Sequence, residues 1–233
     1  MHRPRPRIGT WLLGPLAALT LGVVNTPVQS ERTIPPSPAF DPPSHGVLFA
    51  DDFSHGLGLW RADRAGTWSV VRGMLRAELP SRPQLRSILS AGDSTWGDHA
   101  VDLDFCMVRG VDKGLIVHVR GRRGIGIDVR GGTYQDLVVY SGAVRLGTRT
   151  YPNADATWHH LRVEMRAERY RVLVDGLRVL DCSDWQPTTG RIALPAYTGG
   201  AGACLVYYDN VIVTTLAPVT VGPADSTVRT RGE

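Results

Sequence analysis

The chain has 233 residues, 42% hydrophobic and 21% charged, and its 26 basic residues against 22 acidic give a formal net charge of +4. Such a composition excludes a disordered or collagen-like chain and fits one ordinary domain or two small ones. Three of the basic residues, Arg3, Arg5 and Arg7, precede every acidic one; without the first thirty residues the balance is 23 against 22. No polycation remains for nucleic acid to bind.

Residues 1–30 begin with those arginines, continue through an uncharged run from Trp11 to Val24, and end in Val28-Gln29-Ser30, the layout of a secretory signal peptide. The run is interrupted by Gly14, Pro15 and Gly22 and falls short of the roughly 20 apolar residues that span a bilayer. A secreted or cell-envelope protein with no membrane span after cleavage is expected. Residues 31–46 hold five prolines, which favour an extended linker, and the polar stretch 216–233 reads as a frayed tail. The remainder, 47–215, is one domain, expected to be monomeric.

Within that domain apolar residues alternate with polar ones. Val101, Leu103 and Phe105 alternate with Asp102, Asp104 and Cys106; Leu115 and Val117 with Ile116 and His118; Ile125, Ile127 and Val129 with Gly126, Asp128 and Arg130; and Leu161, Val163 and Met165 with Arg162, Glu164 and Arg166. A period of two means one dry and one wet face, as in antiparallel sheets. Asp175-Gly176, between Val172–Val174 and Leu177–Leu180, predicts a tight hairpin. The β-branched and aromatic run Leu205 to Thr215 predicts a central strand, and only Ala91–Trp96 has room for a turn of helix. About a dozen short strands imply an all-β fold, a two-sheet antiparallel jelly-roll sandwich.

Three cysteines in an oxidising compartment predict one bridge and one leftover thiol. Cys182 and Cys204 lie near strand ends and are the expected pair; Cys106 sits in an apolar run and reads as a buried hydrophobe.

The series Leu48-Phe49-Ala50-Asp51-Asp52-Phe53, Gly66-Thr67-Trp68-Ser69-Val70, Trp158-His159-His160-Leu161-Arg162-Val163, Val174-Asp175-Gly176, Gly190-Arg191-Ile192-Ala193-Leu194 and Tyr208-Asp209-Asn210-Val211 resembles the concanavalin A-like, laminin-G-like jelly-roll superfamily. Among its branches the series is most similar to the bacterial secreted 3-keto-disaccharide hydrolase-like domains. The resemblance implies the jelly roll, but members include enzymes, glycan-binding modules and adhesion domains, so it does not assign a function. Glucanases of the superfamily carry a Glu-x-Asp-x-x-Glu strand whose carboxylates act as nucleophile and acid. The corresponding segment here, Asp102-Leu103-Asp104-Phe105-Cys106-Met107, lacks the last carboxylate, which argues against that mechanism.

A different constellation arises if the strands near 100–108, 113–120, 124–130 and 134–140 form one meander. Asp102, Asp104, His118, Arg120, Asp128, Arg130, Tyr134 and Asp136 then share its wet face. The resemblance makes that face the concave, ligand-binding sheet, with Asp128 where relatives tend to place an acidic residue. The implied partner is a glycan or cell-surface polysaccharide, bound without catalysis; the alternatives are a sugar-acting glycoside hydrolase and an adhesion domain with no small ligand. No cofactor is expected beyond a structural calcium, for which Asp52 and Asp209 on the paired terminal strands supply hard oxygen donors. Trp60, Trp68 and Trp158 are expected in the core, and Trp96 and Trp185 as exposed stacking platforms.

Overall fold

The structure, a computed structural model, describes residues 34–185, 189–200 and 202–217. The expected signal peptide and nearly all of the expected tail lie outside them. Fifteen strands run in chain order as β1 (Val47–Asp51), β2 (Arg61–Ala62), β3 (Trp68–Val71), β4 (Met74–Leu79), β5 (Arg86–Ala91), β6 (His99–Arg109), β7 (Asp112–Arg120), β8 (Arg123–Arg130), β9 (Asp136–Ser141), β10 (Val144–Thr150), β11 (Trp158–Arg166), β12 (Arg169–Val174), β13 (Leu177–Ser183), β14 (Arg191–Tyr197) and β15 (Cys204–Thr215). No helix forms among the described residues, and Ala91–Trp96 is strand end and turn.

The strands make two antiparallel sheets. The eight-stranded sheet has the order β13-β12-β11-β6-β15-β4-β3, with β1 also paired to β15; the seven-stranded sheet has the order β10-β9-β8-β7-β14-β5-β2. The predicted alternation supplies their inner faces: Leu103, Phe105, Leu161, Val163, Val206 and Tyr208 from one meet Leu115, Val117, Ile127, Val129, Leu137 and Leu194 from the other in a single core. Each such side chain contributes roughly 1.5–3 kcal/mol on burial. As expected, the last strand is central, and Asp175 (φ 51°) and Gly176 (φ 74°) turn the β12–β13 hairpin with the two positive φ values that a primed turn requires.

The expected single meander does not form. After β6 the chain turns at Gly110 (φ 117°) and enters the opposite sheet, so β6 pairs with β11 and β15 whereas β7, β8 and β9 pair with one another. The expected disulfide is absent as well: Cys106, Cys182 and Cys204 are all free thiols. Cys182 on β13 and Cys204 on β15 are separated by three intervening strands, about 19 Å at the usual strand spacing, far beyond the span of a bridge.

Residues 34–46 of the proline-rich segment form no strand, and they are seated on the domain. Ile34 packs against an outer cluster of Met74, Cys106, Leu205 and Tyr207 on the eight-stranded sheet. Trp158 donates its indole N–H to the Pro35 carbonyl (2.9 Å) and the Asn210 amide donates to that of Pro38 (2.9 Å). Trp158 thus serves this contact and not the main core, where Trp60 and Trp68 are found as expected. Trp96 also packs against the main core, over Gly92, whereas Trp185 is 81% exposed.

Candidate functional site

Sheet register divides the sequence-predicted constellation. Asp128, Arg130 and Asp136 stand together on the outer face of the seven-stranded sheet, while Asp102 and Asp104 are on the outer face of the other sheet. There His160 bridges them, Nδ1 to Asp104 at 2.8 Å and Nε2 to Asp102 at 3.1 Å. Asp102 also accepts from Arg162 (2.5 Å) and Asp104 from the Asn210 amide (2.7 Å). With every carboxylate partnered, this side is a structural ion-pair lattice. The hydrogen bonds to Asp102 and then Asp104 raise His160 to about 9.

His118 is turned the other way. It takes a positive φ of 51° where the β7–β8 register slips between Val117 and Arg120, which reverses its parity and sends the ring into the core. Its Nδ1 lies 3.1 Å from the Tyr170 hydroxyl, and its ring meets that of His99 edge-on. Burial lowers it to about 4, so it stays neutral. Arg120 lies exposed at the end of β7 and bonds the Thr189 hydroxyl.

The outer face of the seven-stranded sheet is organised in rungs. One crosses it through Arg86, Tyr197, Asp112, Arg130, Asp136 and Thr150, each the Cα partner of the next. In the neighbouring rung Gly114 faces Asp128, which faces Val138; in the one beyond, Ile116 faces Gly126 and Gly126 faces Tyr140. A Cβ on Gly126 would have Asp128 Oδ1, 3.8 Å away, as its one near neighbour, whereas a Cβ on Gly114 (φ 137°) would run into the Ile127 backbone. Asp128 therefore has Gly126 next to it along its own strand and the buried Val138 beside it on the neighbouring one.

Its neighbours define the chemistry. Arg130 is held by Asp136 through two parallel bonds, 2.7 and 2.6 Å, the strong fork geometry, and its guanidinium lies 4.4 Å from the Tyr134 ring centre. Arg145 stands over Tyr140. With Arg130 committed, Asp128 has no salt-bridge partner among the described residues. Burial first, and the charge of Asp112 second, push its carboxyl up to about 7, against the weaker pull of Arg130 and Arg86. An acid that changes charge near neutrality on the outer face of a sheet is a functional-site signature. Sequence reading overlooked Asp112, Arg86 and Tyr197; the parity that selects Asp128 also selects Asp112, two strand positions before Gly114.

The terminal-strand carboxylates are otherwise engaged. Asp52 accepts from the backbone N–H and hydroxyl of Ser54, and Asp209 from the Ser37 hydroxyl and the Asn210 N–H. Among the described residues no group of three or more His, Cys, Asp or Glu side chains is placed to hold a metal. Two clefts lie away from the Asp128 face, one lined by Arg149, Arg178 and Leu180–Asp181 and one by Gly132, Gln135 and Pro152–Asp155.

The sandwich is similar to several solved structures. The carbohydrate-binding module CBM66 from Bacillus subtilis matches with a TM-score of 0.58 at 16% identity, over 68% of this chain and 97% of that one. A Bacillus subtilis protein of unknown function with a galectin-like fold gives 0.61 at 11%, over 73% and 96%. The β-glucanase of Bacillus licheniformis gives 0.58 at 16%, over 75% and 100%. At these identities the likeness is one of fold. No curated protein matches the chain. A family profile, described as the 3-keto-alpha-glucoside-1,2-lyase-like domain, matches residues 47–214, and the chain belongs to that family.

Proposed function

We propose that the protein binds carbohydrate on the outer face of the seven-stranded sheet, with Asp128 gripping sugar hydroxyls, and that it does so outside the cytoplasm, exported by its N-terminal segment. The observation that carries this reading is the Asp128 carboxyl without a salt-bridge partner, open on the Gly126 side and flanked by the Arg130–Asp136 fork and by Tyr140 and Tyr197 on neighbouring rungs. Carboxylates and arginines suit the paired hydroxyls of a sugar, and aromatic rings suit its apolar faces. The carbohydrate-binding module and the glucanase among similar folds support a glycan as ligand.

Catalysis is the second reading, favoured by one property: a carboxyl near 7 can take or give a proton at working pH. The family description names cleavage of a 3-keto-α-glucoside, a substrate whose ketone acidifies the adjacent C–H. The test is calorimetric titration of the full chain with α-glucosides and their 3-keto forms, combined with product analysis. Binding of either class, reduced at least tenfold in Asp128→Asn with the fold intact, is the expected result; no binding to either, or binding indifferent to Asp128, overturns the proposal. Turnover of the keto form that disappears in Asp128→Asn would select the second reading.

A further inference from the structure

Four glycines stand inside the described strands: Gly114 on β7, Gly124 and Gly126 on β8, and Gly147 on β10. Three of them are there because the fold requires it. Gly114 takes a φ of 137°, and a Cβ on it would run into the Ile127 carbonyl; a Cβ on Gly124 would lie 2.8 Å from the Ile116 side chain, and one on Gly147 2.9 Å from that of Leu180. Gly126 has neither reason. Its φ lies outside the left-handed region and, its chain neighbours apart, the one atom within 4 Å of a Cβ built on it is Asp128 Oδ1, at 3.8 Å. Glycine in a strand interior gives up side-chain packing and costs backbone entropy. One that neither conformation nor space demands marks ground that something else approaches closely.

Gly126 belongs to the outer face of the seven-stranded sheet, because Ile125 and Ile127 on either side of it enter the core. Its register partners are Ile116 on β7 and Tyr140 on β9, roughly 9.5 Å apart at the usual strand spacing. Both are half-buried, as are Gly126 itself and Asp128, two positions along β8 on the same face. Solvent therefore reaches all four residues. An aliphatic and an aromatic side chain stand on either side of a strip of bare backbone, with a carboxyl at one end of it. Arg145, whose guanidinium is 5.8 Å from the Tyr140 ring centre, comes from β10, the strand on the side of Tyr140 away from Gly126.

We infer that Gly126 is a specificity-determining residue of the sugar site: a pyranose ring seats over its bare backbone, between Ile116 and Tyr140, with a hydroxyl of its rim on Asp128. The inference rests on the reading of this face as a carbohydrate site and adds to it where the ring lies. A pyranose is a thin ring with apolar C–H faces and a hydroxyl edge; the side chains across the strands from Gly126 are apolar, and the one along its own strand is a hydrogen-bond acceptor. Any side chain at position 126 would take the place of the ring, next to Asp128 and between the two walls. A β-branched residue there would strengthen the sheet, and glycine leaves that strength aside in favour of space.

The test is Gly126→Ala and Gly126→Val in the full chain, with α-glucosides and their 3-keto forms as probes in calorimetric titration and urea denaturation as the measure of the fold. Gly126→Val is expected to denature at a urea concentration equal to or above that of the wild type and yet to bind sugar at least tenfold more weakly, with Gly126→Ala between the two. Measured against the wild type at each pH, the loss should be the same at pH 6 and pH 8, on either side of the Asp128 midpoint near 7, because occlusion does not depend on charge. Wild-type affinity in Gly126→Val overturns the inference, and with binding lost in Asp128→Asn it leaves the carbohydrate reading standing. A loss confined to one pH also overturns it, since position 126 would then act through the Asp128 charge alone. A lowered denaturation midpoint in both variants overturns it by showing that the fold itself requires the glycine. A wild-type protein that binds neither class of sugar overturns the inference and the carbohydrate reading together.

Discussion

The hydroxyl of Tyr208, rooted in the eight-stranded sheet, crosses the core to donate to the carbonyl of Pro195 in the seven-stranded one, 2.6 Å away, and its own oxygen accepts from the Gly114 N–H at 3.3 Å. Proline in a central strand removes a ladder donor, and the β7–β14 pairing skips the stretch between Ala193–Ile116 and Tyr197–Asp112. The phenol fills that gap from below. It thereby fixes Gly114, the residue opposite Asp128.

Tyr208→Phe keeps the ring and strands both backbone groups, which should cost about 1–3 kcal/mol. Urea denaturation should show that loss. Calorimetry should show weaker sugar binding as well, because the strand beside Asp128 loses its support; unchanged affinity would mean that the stitch serves stability alone.

Asp128 makes an opposite trade. Its folded-state carboxyl, near 7, lies above the 3.8 of an ordinary aspartate, so the folded chain holds a proton that the unfolded chain releases. Stability therefore falls as pH rises from about 4 to 7, and the penalty is full above that. Asp128→Asn should stabilise by on the order of 2–4 kcal/mol at pH 8 and by little near pH 4, while abolishing sugar binding. Equal stability of the two proteins at pH 8 would contradict the burial argument.

His160 titrates with the reverse sign. Held near 9 by Asp102 and Asp104, it adds stability that is complete below its unfolded value near 6.5 and is lost as pH climbs through 9. The denaturation midpoint should decline across that window in the wild type and stay flatter in His160→Gln. The side chain is 46% exposed, so the effect is a modest one, further reduced by salt.

The thiols offer a separate check. All three are free, and burial raises each to about 11, so a thiol reagent at pH 8 should count three in denaturant without any reductant and react slowly with the native protein. A count of one would restore the Cys182–Cys204 bridge and require a different strand order.

Why the sequence disclosed some of this and not the rest has a physical basis. Period-two alternation reports that a strand has a dry and a wet side, which is enough to place Phe105, Ile127 and Val163 in the core and Asp128, Arg130 and Asp136 on one outer face. It carries no information on which sheet a strand joins, so Asp102 and Asp104 looked like neighbours of Asp128 although the chain changes sheets at Gly110. His118 escaped for another reason: a positive φ at a histidine reverses parity with no glycine to mark it. Gly126 reads as one more strand glycine, and only three-dimensional packing shows that neither its backbone nor its neighbours require it.

The seating of residues 34–38 bears on how the protein behaves in solution. Met74, Cys106, Leu205 and Tyr207 form an apolar patch on the outside of a sheet, covered by Ile34 together with Val108 and Trp158. The family region begins only at residue 47, so a chain cut back to that boundary would keep every strand and lose the part of the cover that Ile34 supplies. Exposed patches of this kind drive association. Light scattering should find the chain from residue 47 self-associating at concentrations where the chain that includes residues 34–46 remains dispersed; identical behaviour of the two would show that the cover is dispensable.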